Sequence, residues 1–379
     1  MSDLHRSAIS ARLAKLPQLP TSYPMEGEED GDGENDSIGE LPNIRPPGSS
    51  FAKPKQRQKK TPNPDYAPIS AVGYFKQAVE VSVPDVNLNF RVYYTPPRTT
   101  DGTVMVCHHG AGYSGLSFAC FAKEVVRLTN GECGVLALDA RRHGKTTSTT
   151  SDEDLSVEVL SKDLIGLVCT IFPDPLSSPT FLLVGHSMGG SVIVRTCPGL
   201  LEAKYKVTGV VVLDVVEGSA LEALPHMHNL LNSRPDGFDS PEEAIEWHVS
   251  THTIRNPISA RISVPSLIVP AESKDELAPA YKWRIPLRST APYWENWFLG
   301  LSKNFLAART ARLLVLAGTD RLDKELMIGQ MQGKFQMNVV PDTGHMLHED
   351  NPDRLADILT EFWRRNERVI IGIKKVGEL

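Results

Sequence analysis

Apolar residues recur along this chain with two different periods. In Val79-Glu80-Val81-Ser82-Val83 and Leu88-Asn89-Phe90-Arg91-Val92 apolar and polar positions alternate, the period of a strand with one face in the core and the other in solvent. The short connection through Pro84 and Asn87 predicts an antiparallel pair at a sheet edge. From residue 103 onward the strands change character. Thr103-Val104-Met105-Val106-Cys107-His108, Gly134-Val135-Leu136-Ala137-Leu138, residues 180–185, Gly209-Val210-Val211-Val212-Leu213, residues 311–317 and residues 335–340 are nearly unbroken apolar runs. Strands of that kind are covered on both faces. Segments with helical periodicity separate them, over 118–128, 156–172, from 191 onward, 324–332 and 351–366. Strands alternating with helices at this spacing predict an α/β fold, a mostly parallel, doubly wound sheet with right-handed crossovers. Chemistry in such sheets gathers at the carboxyl ends of the strands.

The alternation is interrupted between Val215 and about Leu306. Amphipathic segments over 220–231, 241–250 and 292–305 appear in its place. The last carries Tyr293, Trp294, Trp297, Phe298 and Leu301, an aromatic stripe at helical spacing. The insertion reads as a helical cap over the catalytic edge. Part of the stripe packs it down, and Trp294 and Trp297 are candidates to line an apolar slot. The stretch 255–290 contains Pro257, Pro265, Pro270 and Pro279 and reads as a loop. Residues 66–379 are thus expected to form one α/β domain with a cap insertion at about 215–306.

Residues 1–65 follow neither period. Eight acids and four glycines, with no base, fall between Glu26 and Glu40, and five bases fall between Lys53 and Lys60. Such composition buries too little apolar area to offset ordering entropy, so the segment reads as a disordered tail. The basic run reads first as a solvated charge cluster, and second as a localisation or docking element.

The strand ends carry the candidate chemistry. Gly185-His186-Ser187-Met188-Gly189-Gly190 lies between a strand and a helix, the setting of a nucleophile elbow. The turn demands small residues two before and two after the serine, and both are glycine. Ser187 is the candidate nucleophile, and it needs a base. Gly344-His345, after the last strand, supplies one in the chain order serine, acid, histidine. Backbone N–H groups of Met188, after the nucleophile, and of Ala111, in the His109-Gly110-Ala111-Gly112 loop, are the candidate oxyanion donors. The acid is less determined, because Asp214 and Asp320 both end strands in suitable places. Spacing slightly favours Asp320, one strand before the histidine. The other histidines, His186 and His348 among them, read as structural or exposed.

Composition narrows the function classes. The chain has 379 residues, 41% of them apolar, and a formal net charge of −6. Nothing in that balance points to a nucleic acid or an anionic membrane. No apolar stretch approaches the length of a membrane span, and the first ten residues lack the apolar core of a secretory signal. The five cysteines show no C-x-x-C spacing and read as free thiols of a reducing compartment, cytosolic or nuclear. No metal or organic cofactor is expected.

Several runs carry a resemblance. The elbow, Leu213-Asp214-Val215-Val216-Glu217-Gly218, Ala244-Ile245-Glu246-Trp247 and Ile254-Arg255-Asn256 resemble the protein phosphatase methylesterase family. So do Tyr293-Trp294-Glu295-Asn296-Trp297-Phe298, residues 316–324, residues 328–337, and Gly344-His345 with His348-Glu349-Asp350. The likeness covers about residues 70–366. The elbow is shared by many hydrolases, whereas the Asp-Val-Val-Glu-Gly stretch and the run over 328–337 are far more specific. The resemblance implies an α/β-hydrolase fold. It also implies removal of the methyl ester from the C-terminal leucine carboxylate of the protein phosphatase 2A catalytic subunit, with that methylated tail as partner. Its triad matches Ser187, Asp214 and His345, which moves the acid to Asp214 and leaves Asp320 in reserve. Two departures stand out: an oxyanion loop with less glycine, and no long acidic insertion after Ile-Arg-Asn. A hydrolase of the same fold acting on a small ester or thioester is the alternative, and a docking factor with a vestigial site is a third reading. Dehalogenases and epoxide hydrolases place a carboxylate where Ser187 stands.

Overall fold

The computed structural model describes Lys59 and residues 61–151, 153–272, 275, 278–318 and 322–370. The acidic run and most of the basic run therefore lie outside the described residues. Contacts with the cap begin near the start of the described segment. Ile69 N–H bonds to Arg261 O at 2.9 Å, Arg261 Nε donates to Ala67 O at 2.6 Å, and Tyr66 packs against the cap.

Twelve strands are named among the described residues, in two sheets. The main sheet comprises β1 (Gln77–Val83), β2 (Leu88–Thr95), β3 (Thr103–His108), β4 (Cys133–Leu138), β5 (Thr147–Ser148), β6 (Thr180–His186), β7 (Val207–Leu213), β11 (Ala311–Leu316) and β12 (Gln336–Val339). Its order is β1-β2-β4-β3-β6-β7-β11-β12, with β5 on β2. β1, β2 and β4 pair antiparallel, and every neighbour from β4 to β12 is parallel. The order runs back from β3 to β4, then resumes through β6. The crevice at that reversal lies beside the ends of β3 and β6, where an open α/β sheet binds its ligands.

The continuous apolar runs are explained by the two faces they serve. Val104, Val106, Leu136, Leu138, Leu183, Val210, Val212 and Leu314 enter one buried cluster. Met105, Cys107, Val135, Ala137, Val184, Val211, Leu213 and Val315 enter the other. Successive residues of one strand thus fill opposite layers, as the pleat requires. Helices α1 (Ala119–Leu128) and α11 (Pro352–Ile370) cover one face, and α2 (Val157–Ile171) with α3 (Met188–Glu202) the other.

The cap holds α4 (Glu217–Asn232), α5 (Pro241–Ser250), α6 (Pro257–Ser263), α7 (Trp294–Phe298) and α8 (Leu301–Ala307). A small antiparallel sheet of β8 (Gly237–Phe238), β10 (Tyr281–Trp283) and β9 (Ile268–Pro270) lies within it. The structure departs from expectation here in two places. The stretch read as a loop folds into α6, capped by Asn256, whose Oδ1 accepts the Ile258 and Ser259 N–H groups, with Pro257 at the position where a missing N–H costs nothing. Two strands of the small sheet follow, each too short to show a period. The segment expected as one helix over 292–305 is broken at Gly300, which adopts φ 79°. Glu217 holds the break, its two carboxylate oxygens accepting the Gly300 and Ser302 N–H groups at 2.8 and 2.9 Å.

Trp294, Trp297 and Leu301 of the aromatic stripe are core, with Tyr293 and Phe298 half-buried against them. Trp297 is 2% exposed and donates its indole N–H to Leu155 O at 2.7 Å. Trp294 donates to Thr290 Oγ1 at 2.9 Å. Both sit in the cluster with α2 and α3, so they fasten the cap to the body. The remaining helices are α9 (Lys324–Met331), N-capped by Asp323 through Leu326 N–H, and α10 (Leu347–Asp350). The five cysteines are unpaired, and no described helix is long and apolar enough to cross a membrane.

Candidate active site

Ser187 lies between β6 and α3, at the N-cap of the helix, with φ 51° and ψ −119°. That is a strained backbone for a residue with a side chain, the kind held only when surrounding structure over-determines it. Two features impose it. Ser187 N–H bonds to Leu213 O at 3.0 Å, tying the elbow to β7, and the flanking glycines leave no room for a Cβ. A methyl on Gly185 would overlap the Gly189 carbonyl, and one on Gly189 the His108 carbonyl. Met188 is the first residue of α3, where a helix leaves its N–H groups without intrahelical partners.

The loop after β3 comes down beside the nucleophile. A Cβ built on Gly110 would stand 3.2 Å from Ser187 Cβ. Two buried histidines fix the loop. His109 Nδ1 donates to Gly110 O at 2.7 Å while its Nε2 accepts Ala140 N–H at 3.0 Å. His143 donates through Nδ1 to Arg141 O and accepts Gly112 N–H through Nε2 at 3.0 Å. Both roles require the neutral ring, and burial supplies it, lowering His143 to about 4 and His109 well below its usual value. Asp139 holds the far end of the loop, accepting Gly115 N–H at 2.8 Å and Lys145 N–H at 2.7 Å. Ala111 lies between these anchors, half-buried against the core.

His345 follows β12. Its loop is clasped by Asp350, which accepts Gly344 N–H at 2.7 Å through one oxygen and Arg255 N–H at 2.7 Å through the other. Arg255 also donates to Asp342 O at 2.9 Å. The imidazole Nδ1 lies 2.8 Å from Asp214 Oδ2. Asp214 leaves β7 at φ 51°, a conformation that aspartate tolerates better than most residues. Its other oxygen accepts Ala317 N–H at 2.7 Å. The Asp214 side chain is 9% exposed and that of His345 55%. The acid is thus enclosed while the histidine is open to solvent.

The structure brings Ser187, Met188, Asp214, His345 and the Ala111 loop together at the carboxyl edge of the sheet. Asp320 lies outside the described residues. Such a set can run acyl transfer: a hydroxyl on a strained turn, an imidazole oriented by a carboxylate, and backbone donors at a helix start. Among the described residues no group of three or more His, Cys, Asp or Glu is placed to hold a metal. Four histidines read from sequence as structural or exposed, His186, His348, His109 and His143, are all buried around the site; their position beside strand-end motifs is the signal that ties them to it.

Residues 105–358 match the model of the alpha/beta hydrolase family. A Cryptococcus neoformans protein named protein phosphatase methylesterase 1 is 45% identical over 418 aligned positions, covering 100% of this chain and 96% of that protein. One of the same name from Aspergillus fumigatus is 42% identical, covering 97% and 90%. Among solved structures, E-2-(acetamidomethylene)succinate hydrolase superposes with a TM-score of 0.60 at 18% identity, covering 76% of this chain and 99% of that one. A thioesterase domain from the curacin biosynthetic pathway does so at 0.54 and 16% identity, covering 75% and 98%. At such identities the structural likeness speaks to the fold alone.

Proposed function

The chain belongs to the protein phosphatase methylesterase 1 family of α/β-hydrolases, and on that premise we propose that it removes the methyl ester from the C-terminal leucine of the protein phosphatase 2A catalytic subunit. It is a hydrolase. The observation that carries the mechanism is the 2.8 Å contact between His345 Nδ1 and Asp214 Oδ2 beside the Ser187 elbow.

In this reading Ser187 Oγ attacks the ester carbonyl as His345 Nε2 takes its proton. Asp214 stabilises the imidazolium that forms. The N–H groups of Ala111 and Met188 receive the oxyanion. The tetrahedral intermediate collapses, the C–O bond to the methoxy group breaks, and methanol leaves with the proton from His345. Water, activated by the same imidazole, then attacks the acyl-serine and releases the leucine carboxylate. No step calls for a metal or an organic cofactor.

The test is mass spectrometry of the methylated phosphatase subunit before and after incubation. Wild type should remove one methyl group from the C-terminal peptide, and Ser187→Ala should leave it in place. Rapid turnover of small esters with the phosphatase tail untouched would replace this reading with that of a small-ester hydrolase.

A further inference from the structure

His186, the residue before the nucleophile, touches all three working parts of the site. It is 1% exposed. Its Nε2 lies 2.8 Å from the backbone carbonyl of His345, and the two rings stand 4.6 Å apart. On the other side, a Cβ built on Gly110 would come within 2.8 Å of His186 Nδ1. The oxyanion loop therefore rests directly on the ring. His348, stacked on Phe118 at 4.6 Å, backs it at 4.4 Å.

The hydrogen-bond roles are fixed by elimination. A carbonyl oxygen only accepts, so Nε2 carries the proton. Burial, with His348 and His345 alongside, holds the ring neutral. Nδ1 is then a bare acceptor, and among the described residues it is buried without a partner. An unpaired buried nitrogen is unfavourable, and an apolar side chain of the same size would fill the space without one. What an apolar side chain cannot supply is the N–H that reaches the His345 carbonyl.

We propose that His186 is a positioning residue for the general base: its Nε2–H fixes the His345 main chain so that the imidazole meets Asp214 and Ser187 together, while its ring sets the approach of the Gly110 loop. The base loop is then held at three successive points, by Asp350 at Gly344 N–H, by His186 at His345 O and by Asp214 at His345 Nδ1. The inference rests on the reading of Ser187, Asp214 and His345 as the reacting triad.

Two substitutions separate the N–H from the volume. The amide nitrogen of Gln stands as many bonds from Cα as histidine Nε2 and can donate to the same carbonyl. That of Asn stops at the position of Nδ1 and cannot. Each full-length variant is assayed for demethylation kinetics, for the rate at which a fluorophosphonate probe labels Ser187, and for thermal unfolding. His186→Asn should lower kcat and labelling about 10–100-fold with KM little changed, the scale of a slightly misplaced base, and His186→Gln should recover most of that loss. Should His186→Asn fail to fold, His186→Met, which fills the space without a donor, takes its place with the same expectation. A donor-less variant as fast as wild type, or Gln as slow as Asn at equal unfolding temperature, would overturn the proposal. A wild-type protein that labels rapidly yet leaves the phosphatase tail methylated sinks the substrate reading alone, because the labelling comparison still decides the role of His186.

Discussion

Asp214 accepts two hydrogen bonds from opposite sides: His345 Nδ1 at 2.8 Å on Oδ2 and Ala317 N–H at 2.7 Å on Oδ1. Ala317 follows β11, the strand whose end leads toward Asp320. That strand therefore contributes a backbone donor that aims the carboxylate of its neighbour β7. Asparagine at 214 has a single oxygen for two N–H donors and must turn its amide toward one of them. Asp214→Asn is expected to reduce kcat about 10⁴-fold, as loss of the tautomer-fixing acid does elsewhere. Asp320→Asn should leave it nearly unchanged. Steady-state kinetics on the methylated tail decide the matter, and a silent Asp214→Asn would return the role to Asp320.

Gly110→Ala should be poorly tolerated. Its methyl would stand 2.8 Å from His186 Nδ1 and 3.2 Å from Ser187 Cβ, with no flexible side chain to yield. Overpacking of this kind typically costs about 1–3 kcal/mol. The displaced oxyanion donor should lower kcat by about 10²-fold as well. Chemical denaturation and kinetics of the same preparation read the two effects separately.

Trp297→Ala tests whether the cap aromatics are core or slot. The indole is buried and hydrogen-bonded to Leu155 O. Removing it should destabilise the fold by about 3–5 kcal/mol, the usual range for a buried large aromatic. A variant with unaltered denaturation midpoint and a selectively raised KM would make Trp297 part of the binding slot instead.

Stability should fall on both sides of a mildly acidic optimum, for opposite reasons. Burial lowers His108 and His143 from 6.5 to about 4, and His248 and His348 to about 3. These groups are protonated in the unfolded chain below 6.5 but not in the folded one. The stability they allow is complete above 6.5 and is lost as pH falls through 4. Burial raises Glu349 from 4.5 to about 8. There the unfolded chain loses its proton first, so that contribution is complete below 4.5 and is lost as pH rises through 8. Urea midpoints across pH 4–9 should trace a dome. Glu349→Gln should flatten its alkaline side, and His348→Phe should soften the acid side.

Much of this fold is legible in the chain because its signals are local. A continuous apolar run such as Val104 to Cys107 declares a strand with two buried faces, since each residue meets a different layer. The glycines at 185 and 189 declare a turn that no Cβ can enter, and the position of Gly344-His345 after the last strand declares a loop at the carboxyl edge. Cap elements were harder to read. The strands β8, β9 and β10 have two or three residues each, too few for a period, and α6 hides among prolines that also open helices.

The sequence by itself therefore determined the sheet, the elbow and the carboxyl-edge placement of Ser187 and His345, because each depends on one segment and its own period. Spacing left Asp214 and Asp320 both open. The contact between Asp214 and His345 spans 131 positions and exists because β7 lies against β11 and β11 against β12, an order written in no single segment. Only the tertiary structure could also show that His186 lies between the Gly110 loop and the His345 carbonyl. A buried hydrogen bond depends on which backbone atoms three separate loops bring together, and the residue types along the chain do not encode that distance.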